Sequence, residues 1–409
     1  RLIAMTRPSA SPHETFDAVV VGGGPAGATA AQTLAEAGRS VLLLDRDGRI
    51  KPCGGAIPPR MIQQFDIPDD QLVAKITCAR IVSPTAHKVD IPIKGGFVGM
   101  VDRGSFDEWL RERARGAGVE RRTGIFHRLE PQDDGTTLVH FHPSSSHTNR
   151  EDAVVRARAV VGADGARSEV ARQAVPEHET PFVFAYHEIA STKGAGADYD
   201  AARCDVYYDG RLSPDFYGWV FPHGDKVSIG TGTAHKGFSL RDAVGGLRAA
   251  AGLEDCETVR HEGAPIPLKP LPRWDDRRNV LLAGDAAGVV APASGEGIFY
   301  AMTGGRLAGE AVDEFCRTAD ARALAQARKR FMRSHGGVFW MLGMMQRYWY
   351  TDDARRERFV AICRDVDVQE LTFDAYMNKE LVKARPLAHV RIFFKNIAHL
   401  TGMVPAHAA

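Results

Sequence analysis

The pattern of apolar and polar positions changes several times along the chain, and each change predicts an element. An apolar run at residues 18–21 breaks at Gly22-Gly23-Gly24-Pro25-Ala26-Gly27, and an Ala-rich stretch of helical character follows, so the order strand, turn, helix is expected. A second apolar run, residues 40–44, ends at the acid Asp45. Two later runs end the same way: VVGADGARS (160–168) at Asp164, and NVLLAGDAAGVVAPASGEG (279–297) at Asp285. Alternation over residues 217–222 places Tyr217, Trp219 and Phe221 on one face of a strand that leads, through a further apolar strand, to Gly230-Thr231-Gly232. The aromatic and Met-rich stretch 339–350 and the segment VRIFFKNIAHLTGM (390–403) read as helices, and the Pro-rich run 265–272 as an extended connection. No segment offers roughly 18 uninterrupted apolar residues, so a spanning helix is not expected.

Composition bounds the rest. With 409 residues, 44% of them hydrophobic, the chain buries a large core and exceeds one typical domain, which predicts two interleaved domains. Its 52 basic and 51 acidic residues nearly cancel, which gives no reason to expect nucleic acid or an acidic polymer as partner. Six scattered cysteines without a CxxC pair suit free thiols in a reducing cytoplasm. Residues 1–15 read as a loose tail without an apolar stretch of signal-peptide length, and SSSHTN (144–149) as a turn. His127, His140, His142 and His147 show no ligand spacing, so surface or turn positions are expected and no metal site.

The first motif carries recognisable chemistry. Gly22 permits a tight turn, Gly24 lets the backbone approach a pyrophosphate, and Gly27 allows the helix to pack on its strand, while the helix N-terminus, with Ala26 counted among the binding residues, offers oriented N–H groups. Asp45 falls 18 positions after Gly27, close to the spacing of a ribose-binding acid, and Arg46 would flank the adenosine. This fingerprint does not by itself separate FAD from NAD. The downstream motifs do: Asp285 sits where a carboxylate accepts from a ribityl hydroxyl, and the stretch ending at Gly297 starts a helix whose amides can face a flavin.

In these three motifs and their order the chain resembles, over nearly its whole length, the FAD-binding family that contains aromatic hydroxylases and geranylgeranyl reductases. The resemblance implies an α/β fold: a Rossmann-type, aromatic-hydroxylase-like FAD-binding domain from residues 16–60, 100–178 and 273–325, a mainly antiparallel substrate sheet from 61–99 and 179–272, and C-terminal helices over 326–409. It also implies non-covalent FAD, with Arg103 (in VDRGSFDEWL) and Asp164 at the cofactor and Pro292, Gly295, Gly297 and Ile298 along the isoalloxazine side. Ile298 stands where hydroxylases commonly carry asparagine. An ordinary solvated helix-start cation is the other reading of Arg103.

Two local motifs narrow the class. Pro52-Cys53-Gly54-Gly55 looks like the cysteine-glycine loop of geranylgeranyl reductases, with Cys53 and Gly54 near the flavin, although a buried cysteine also serves as a small hydrophobe. Tyr217-Gly218-Trp219-Val220-Phe221-Pro222 resembles the aromatic signature of the same reductases, where a wall of the substrate domain meets the flavin; a plain core stripe is the alternative. Halogenases need a different tryptophan pattern. In the C-terminal third, Trp340, Met341, Met344, Met345 and Trp349 line either an adaptable apolar channel or an ordinary core helix. Ile392, Phe393, Phe394 and Ile397, near Lys383, Arg391 and Lys395, either press on an anionic membrane or dock on the fold. RYWYTDDARRERFVAICRDVDVQELTFDAYM looks like the chlorophyll and bacteriochlorophyll branch of the family. The resemblance therefore implies saturation of isolated C=C bonds in a geranylgeranyl chain, carried as a tetrapyrrole ester or as geranylgeranyl diphosphate, with NADPH as transient reductant and Cys53, Tyr217 and Trp219 as catalytic residues, in the cytoplasm or peripherally on the photosynthetic membrane. A flavin monooxygenase of aromatic or quinone-like substrates, an archaeal-type isoprenoid lipid reductase and a non-catalytic isoprenoid carrier are the rival readings.

Overall fold

A computed structural model describes residues 13–370 except 47, 49, 144–151, 178 and 179. The first strand, β1 (Thr15–Val21), stops at Gly22, whose φ of +103° and crowding against the Ala163 carbonyl leave no room for a side chain. Pro25 then opens α1 (Pro25–Glu36), where a missing N–H costs nothing. There follow β2 (Val41–Asp45), β3 (Ala56–Ile57), α2 (Pro59–Gln64), β4 (Ala74–Ile76), β5 (Cys78–Val82), β6 (Lys88–Pro92), β7 (Val98–Met100), α3 (Arg103–Gly116), β8 (Glu120–Thr123), β9 (Ile125–Pro131), β10 (Thr137–His142), β11 (Ala153–Gly162) and α4 (Glu169–Ala174). The second half contains β12 (Phe182–Ser191), β13 (Arg203–Tyr207), β14 (Gly218–His223), β15 (Lys226–Thr233), α5 (Leu240–Ala250), β16 (Thr258–Pro267), β17 (Val280–Leu282), α6 (Ile298–Thr318), α7 (Ala325–Trp349) and α8 (Asp353–Ile362).

Two seven-stranded sheets carry the molecule. In the first, β8, β2, β1 and β11 run parallel, β17 joins β11 in parallel, and β10 and β9 extend the edge antiparallel. Its inner strands are continuous apolar runs because both faces are covered; Val19, Val20, Leu42, Val160 and Leu281 are fully buried. The second sheet has the order β16-β12-β15-β14-β13-β5-β6 and is antiparallel except where β5 meets β13. A small sheet, β3-β7-β4, lies beside them. The chain leaves the first sheet for β5 and β6, returns, leaves again for β12 to β16, and comes back at β17.

Several expectations are corrected. The Pro-rich run is not a connection throughout: Pro265 and Pro267 belong to β16, an edge strand whose free side tolerates the missing N–H. The aromatic and Met-rich helix does not gather its large side chains along one channel, since Trp340 is 70% exposed and Met344 is exposed, while Phe339 and Trp349 are buried. Two of the histidines, without ligand spacing in sequence, converge through pairing of β9 with β10: His127 Nε2 and His142 Nδ1 lie 3.0 and 3.1 Å from one Asp152 oxygen, and the three side chains form a group that could hold a metal ion. All six cysteines are free. Among the described residues no helix is long and apolar enough to cross a membrane. The readings made for residues 1–12, for the turn 144–149 and for the segment containing Ile392, Phe393, Phe394 and Ile397 fall outside the described residues.

Candidate active site

A cavity of about 530 Å³ lies between the two large sheets. One end is formed where β1, β2 and β11 finish and α1 begins, so backbone N–H groups and the positive end of a helix dipole face it. A Cβ built on Gly24 meets nothing within 4 Å, so bare backbone stands against open space there. Gly22, Gly24 and Ala26 line the cavity. Gly27 does not; a Cβ on it would overlap the Gly22 carbonyl, which makes it the packing glycine of the turn. Asp45 ends β2 at the cavity wall beside Arg46, whose N–H donates to Asp45 Oδ1 at 2.9 Å. Arg111 of α3, which the sequence did not single out, donates to the Gly23 carbonyl (3.2 Å) and to Asp45 Oδ2 (3.4 Å). Burial raises the Asp45 carboxyl above its ordinary value.

The middle of the cavity is built from charge pairs, one of them with both partners buried. Arg103, the first residue of α3, is only 5% exposed and grips Asp107 through two bonds of 2.7 Å, so it is not a solvated helix-start cation. Burial opposes its charge, but the Asp107 carboxylate outweighs burial and holds the guanidinium above its ordinary value; the Cys53 thiol adds to the effect. Lys51, also missed in the sequence although it directly precedes the Pro-Cys-Gly-Gly loop, pairs with Asp285 on the short helical turn Gly284–Ala287. Asp164 lines the cavity, yet its carboxylate is occupied by its own α4, accepting from the Ser168 hydroxyl, from Glu169 N (2.7 Å) and from Val170 N (3.1 Å). Gly295, Gly297 and Ile298 line the cavity at the start of α6. Pro292 does not, and instead lies toward α7, 3.8 Å from a Cβ built on Gly343.

The far wall is aromatic. Phe216 stacks on Tyr217 at 4.3 Å between centroids, and from Tyr217, just before β14, the row continues to Trp219 and Phe221 within it at 6.1 and 6.4 Å. Their polar atoms are turned away from function as free donors: Tyr217 Oη donates to the Ser294 carbonyl at 2.5 Å and Trp219 Nε1 to Ser228 Oγ at 3.1 Å. Burial pushes the Tyr217 phenol well up, so it stays neutral. The Cys53 loop presses on this wall, since a Cβ on Gly54 would sit 3.0 Å from Phe221 Cδ2 and 3.9 Å from Trp219 Nε1. The Gly55 N–H donates to Cys53 Sγ at 3.3 Å. A second cavity of about 300 Å³ adjoins the first, and Lys51, Cys53, Arg103 and His187 line both.

These residues fit a dinucleotide joined to a flat ring system: open glycine backbone suits a pyrophosphate, Asp45 a ribose and Asp285 a polyol, and the start of α6 and the aromatic wall line the same cavity. The fold and this cavity define an FAD-dependent oxidoreductase. Residues 16–195 match the family model for pyridine nucleotide-disulphide oxidoreductase. The chain is 58% identical to the geranylgeranyl diphosphate reductase of Rhodobacter capsulatus over 95% of this chain and 98% of that one. It is 37% identical to the chloroplastic geranylgeranyl diphosphate reductase of Oryza sativa subsp. japonica, over 93% and 85%. Its fold matches the crystal structure of a geranylgeranyl bacteriochlorophyll reductase-like protein from Thermoplasma acidophilum, with a TM-score of 0.78 at 22% identity, covering 92% of this chain and 99% of that one. The chain belongs to the geranylgeranyl diphosphate reductase family.

Proposed function

We propose that the enzyme saturates isolated C=C bonds of a geranylgeranyl chain, carried as a bacteriochlorophyll or chlorophyll ester or as the free diphosphate, to give the phytyl chain. The observation that carries this reading is the meeting of the Cys53-Gly54-Gly55 backbone with the Trp219 and Phe221 rings inside a cavity whose other end suits a dinucleotide. In this reading residues 16–60, 100–178 and 273–325 form the cofactor unit, and 61–99 with 179–272 the substrate unit. Bound FAD, reduced by NADPH, supplies the hydride.

The chain's own residues have two tasks. An unactivated trisubstituted alkene accepts hydride poorly, so one carbon must be protonated as the other receives hydride, and the more substituted carbon develops positive charge. In this reading Cys53, which lines the cavity beside the buried Arg103–Asp107 pair, or a water next to it, delivers the proton. Trp219 and Tyr217 offer π faces to the cation, and the apolar wall keeps water from capturing it. Carriage of the substrate as a tetrapyrrole ester would place the enzyme against the photosynthetic membrane. The test is anaerobic incubation of FAD-loaded protein with NADPH and geranylgeranylated bacteriochlorophyll, or with geranylgeranyl diphosphate. Stepwise gain of two hydrogens per bond in the side-chain mass is the expected outcome. Unchanged prenyl substrates, together with oxygen incorporation into an aromatic or quinone substrate in air, would sink the reading.

A further inference from the structure

Behind the aromatic wall a buried hydrogen-bond chain crosses four strands, β14, β15, β12 and β16. Trp219 Nε1, which can only donate, donates to Ser228 Oγ at 3.1 Å. Ser228 is fully buried, and among the described residues the acceptor in reach of its own hydroxyl proton is His187 Nδ1, at 3.0 Å. Nδ1 therefore accepts, which places the ring proton on Nε2, 3.1 Å from Glu262 Oε2. Every bond points one way, from the indole to the carboxylate. Gly230 makes the arrangement possible, since a Cβ there would overlap Trp219 Cζ2 and lie 2.6 Å from His187 Cβ.

We infer that Ser228, His187 and Glu262 are positioning residues that fix the Trp219 indole and enrich its π face for the positive charge formed on the substrate; this role rests on the reaction proposed above. The carboxylate draws the His187 Nε2 proton, the more basic Nδ1 draws the Ser228 proton, and the serine oxygen becomes a better acceptor for the indole N–H. An indole that donates more strongly presents a more electron-rich face. Arg260 Nε, 2.9 Å from Glu262 Oε1, shares the carboxylate's charge, and Asp102 and His223 face the same cavity, so the effect is graded rather than all-or-none. Saturating one bond adds a hydride to one carbon and a proton to the other; the alkene gains the two electrons that the reduced cofactor gives up, and the chain from Glu262 to Trp219 loses and gains nothing.

The test uses FAD-loaded enzyme labelled with ¹⁵N in its five tryptophans, the Trp219 N–H signal being assigned by its loss in Trp219→Phe. Ser228→Ala is expected to move that proton signal upfield and to slow alkene reduction about tenfold, with flavin reduction by NADPH and FAD content unchanged. Glu262→Gln, closer to the surface, is expected to move both in the same direction by less, and Ser228→Thr to restore both. A shifted N–H signal with an unchanged alkene step would overturn the role, and so would an N–H signal that does not move. Wild-type enzyme that leaves every prenyl substrate unchanged would overturn the proposed reaction and this role with it, whereas a competent wild type with unaffected variants overturns the role alone.

Discussion

The two ends of the main cavity solve opposite electrostatic problems. The cofactor end holds full charges in pairs, Arg103 with Asp107, Lys51 with Asp285, and Arg111 with Asp45, each close to a place where a charged or hydroxylated part of FAD would lie. The aromatic end is walled by Phe216, Tyr217, Trp219 and Phe221, and the polar atoms of Tyr217 and Trp219 are tied to neutral partners. A dianionic, polyhydroxylated cofactor needs exchangeable partners, whereas a developing carbocation needs electron-rich faces and no nucleophile. The same fold supplies both because each end belongs to a different sheet.

The most severe way to break this contrast is to unbalance a buried pair. Arg103→Met leaves the Asp107 carboxylate buried without a partner, and a loss of about 3–5 kcal/mol in unfolding free energy is expected from urea titration; a loss under about 1 kcal/mol would mean that water already serves Asp107. Asp285→Asn is the next largest: FAD affinity, followed by quenching of flavin fluorescence, is expected to fall about 10- to 100-fold as a charge-assisted acceptor is removed. On the aromatic side the effects shrink. Tyr217→Phe removes one neutral hydrogen bond to the Ser294 carbonyl and should cost about 1 kcal/mol of stability, with FAD affinity unchanged. The smallest effect concerns pH. The His187 hydrogen bond holds the Glu262 carboxyl below the ordinary glutamate value, so its stabilisation is complete above that value and is lost as pH falls through the lowered one. Glu262→Gln should therefore lower stability slightly in the neutral region and flatten the acid limb, so that variant and wild type converge at low pH.

How much of this was legible in the sequence follows the same division. The Rossmann turn was readable because Gly22, Gly24, Gly27 and Asp45 act within one strand-helix-strand unit, where spacing is geometry. Asp285 and the start of α6 were readable for the same reason. Contacts made by pairing distant strands were not. Lys51 and Arg111 look like any surface cations until β17 and α3 bring them to the cavity, and His187 is one more residue of an alternating strand until β15 and β16 flank it. The convergence of His127 and His142 on Asp152 depends on strand register, which a ligand-spacing rule cannot see. Trp340 illustrates the reverse case: aromatic and Met-rich composition offered a channel lining or a core helix, but a 25-residue helix presents every side in turn, and its outer side carries Trp340. Pro292 belongs to the same motif as Gly295 and Gly297 but lies toward α7 and does not line the cavity.

The discontinuous first sheet also has a consequence for biosynthesis. Its glycine turn emerges from the ribosome early, but β17, the Asp285 turn and α6 arrive only when residue 318 has been made. Through most of synthesis the nascent chain thus carries half of a cofactor site and an open edge on β11. FAD can therefore act as a folding ligand only once β17 and α6 have joined the first sheet, not on the glycine turn alone.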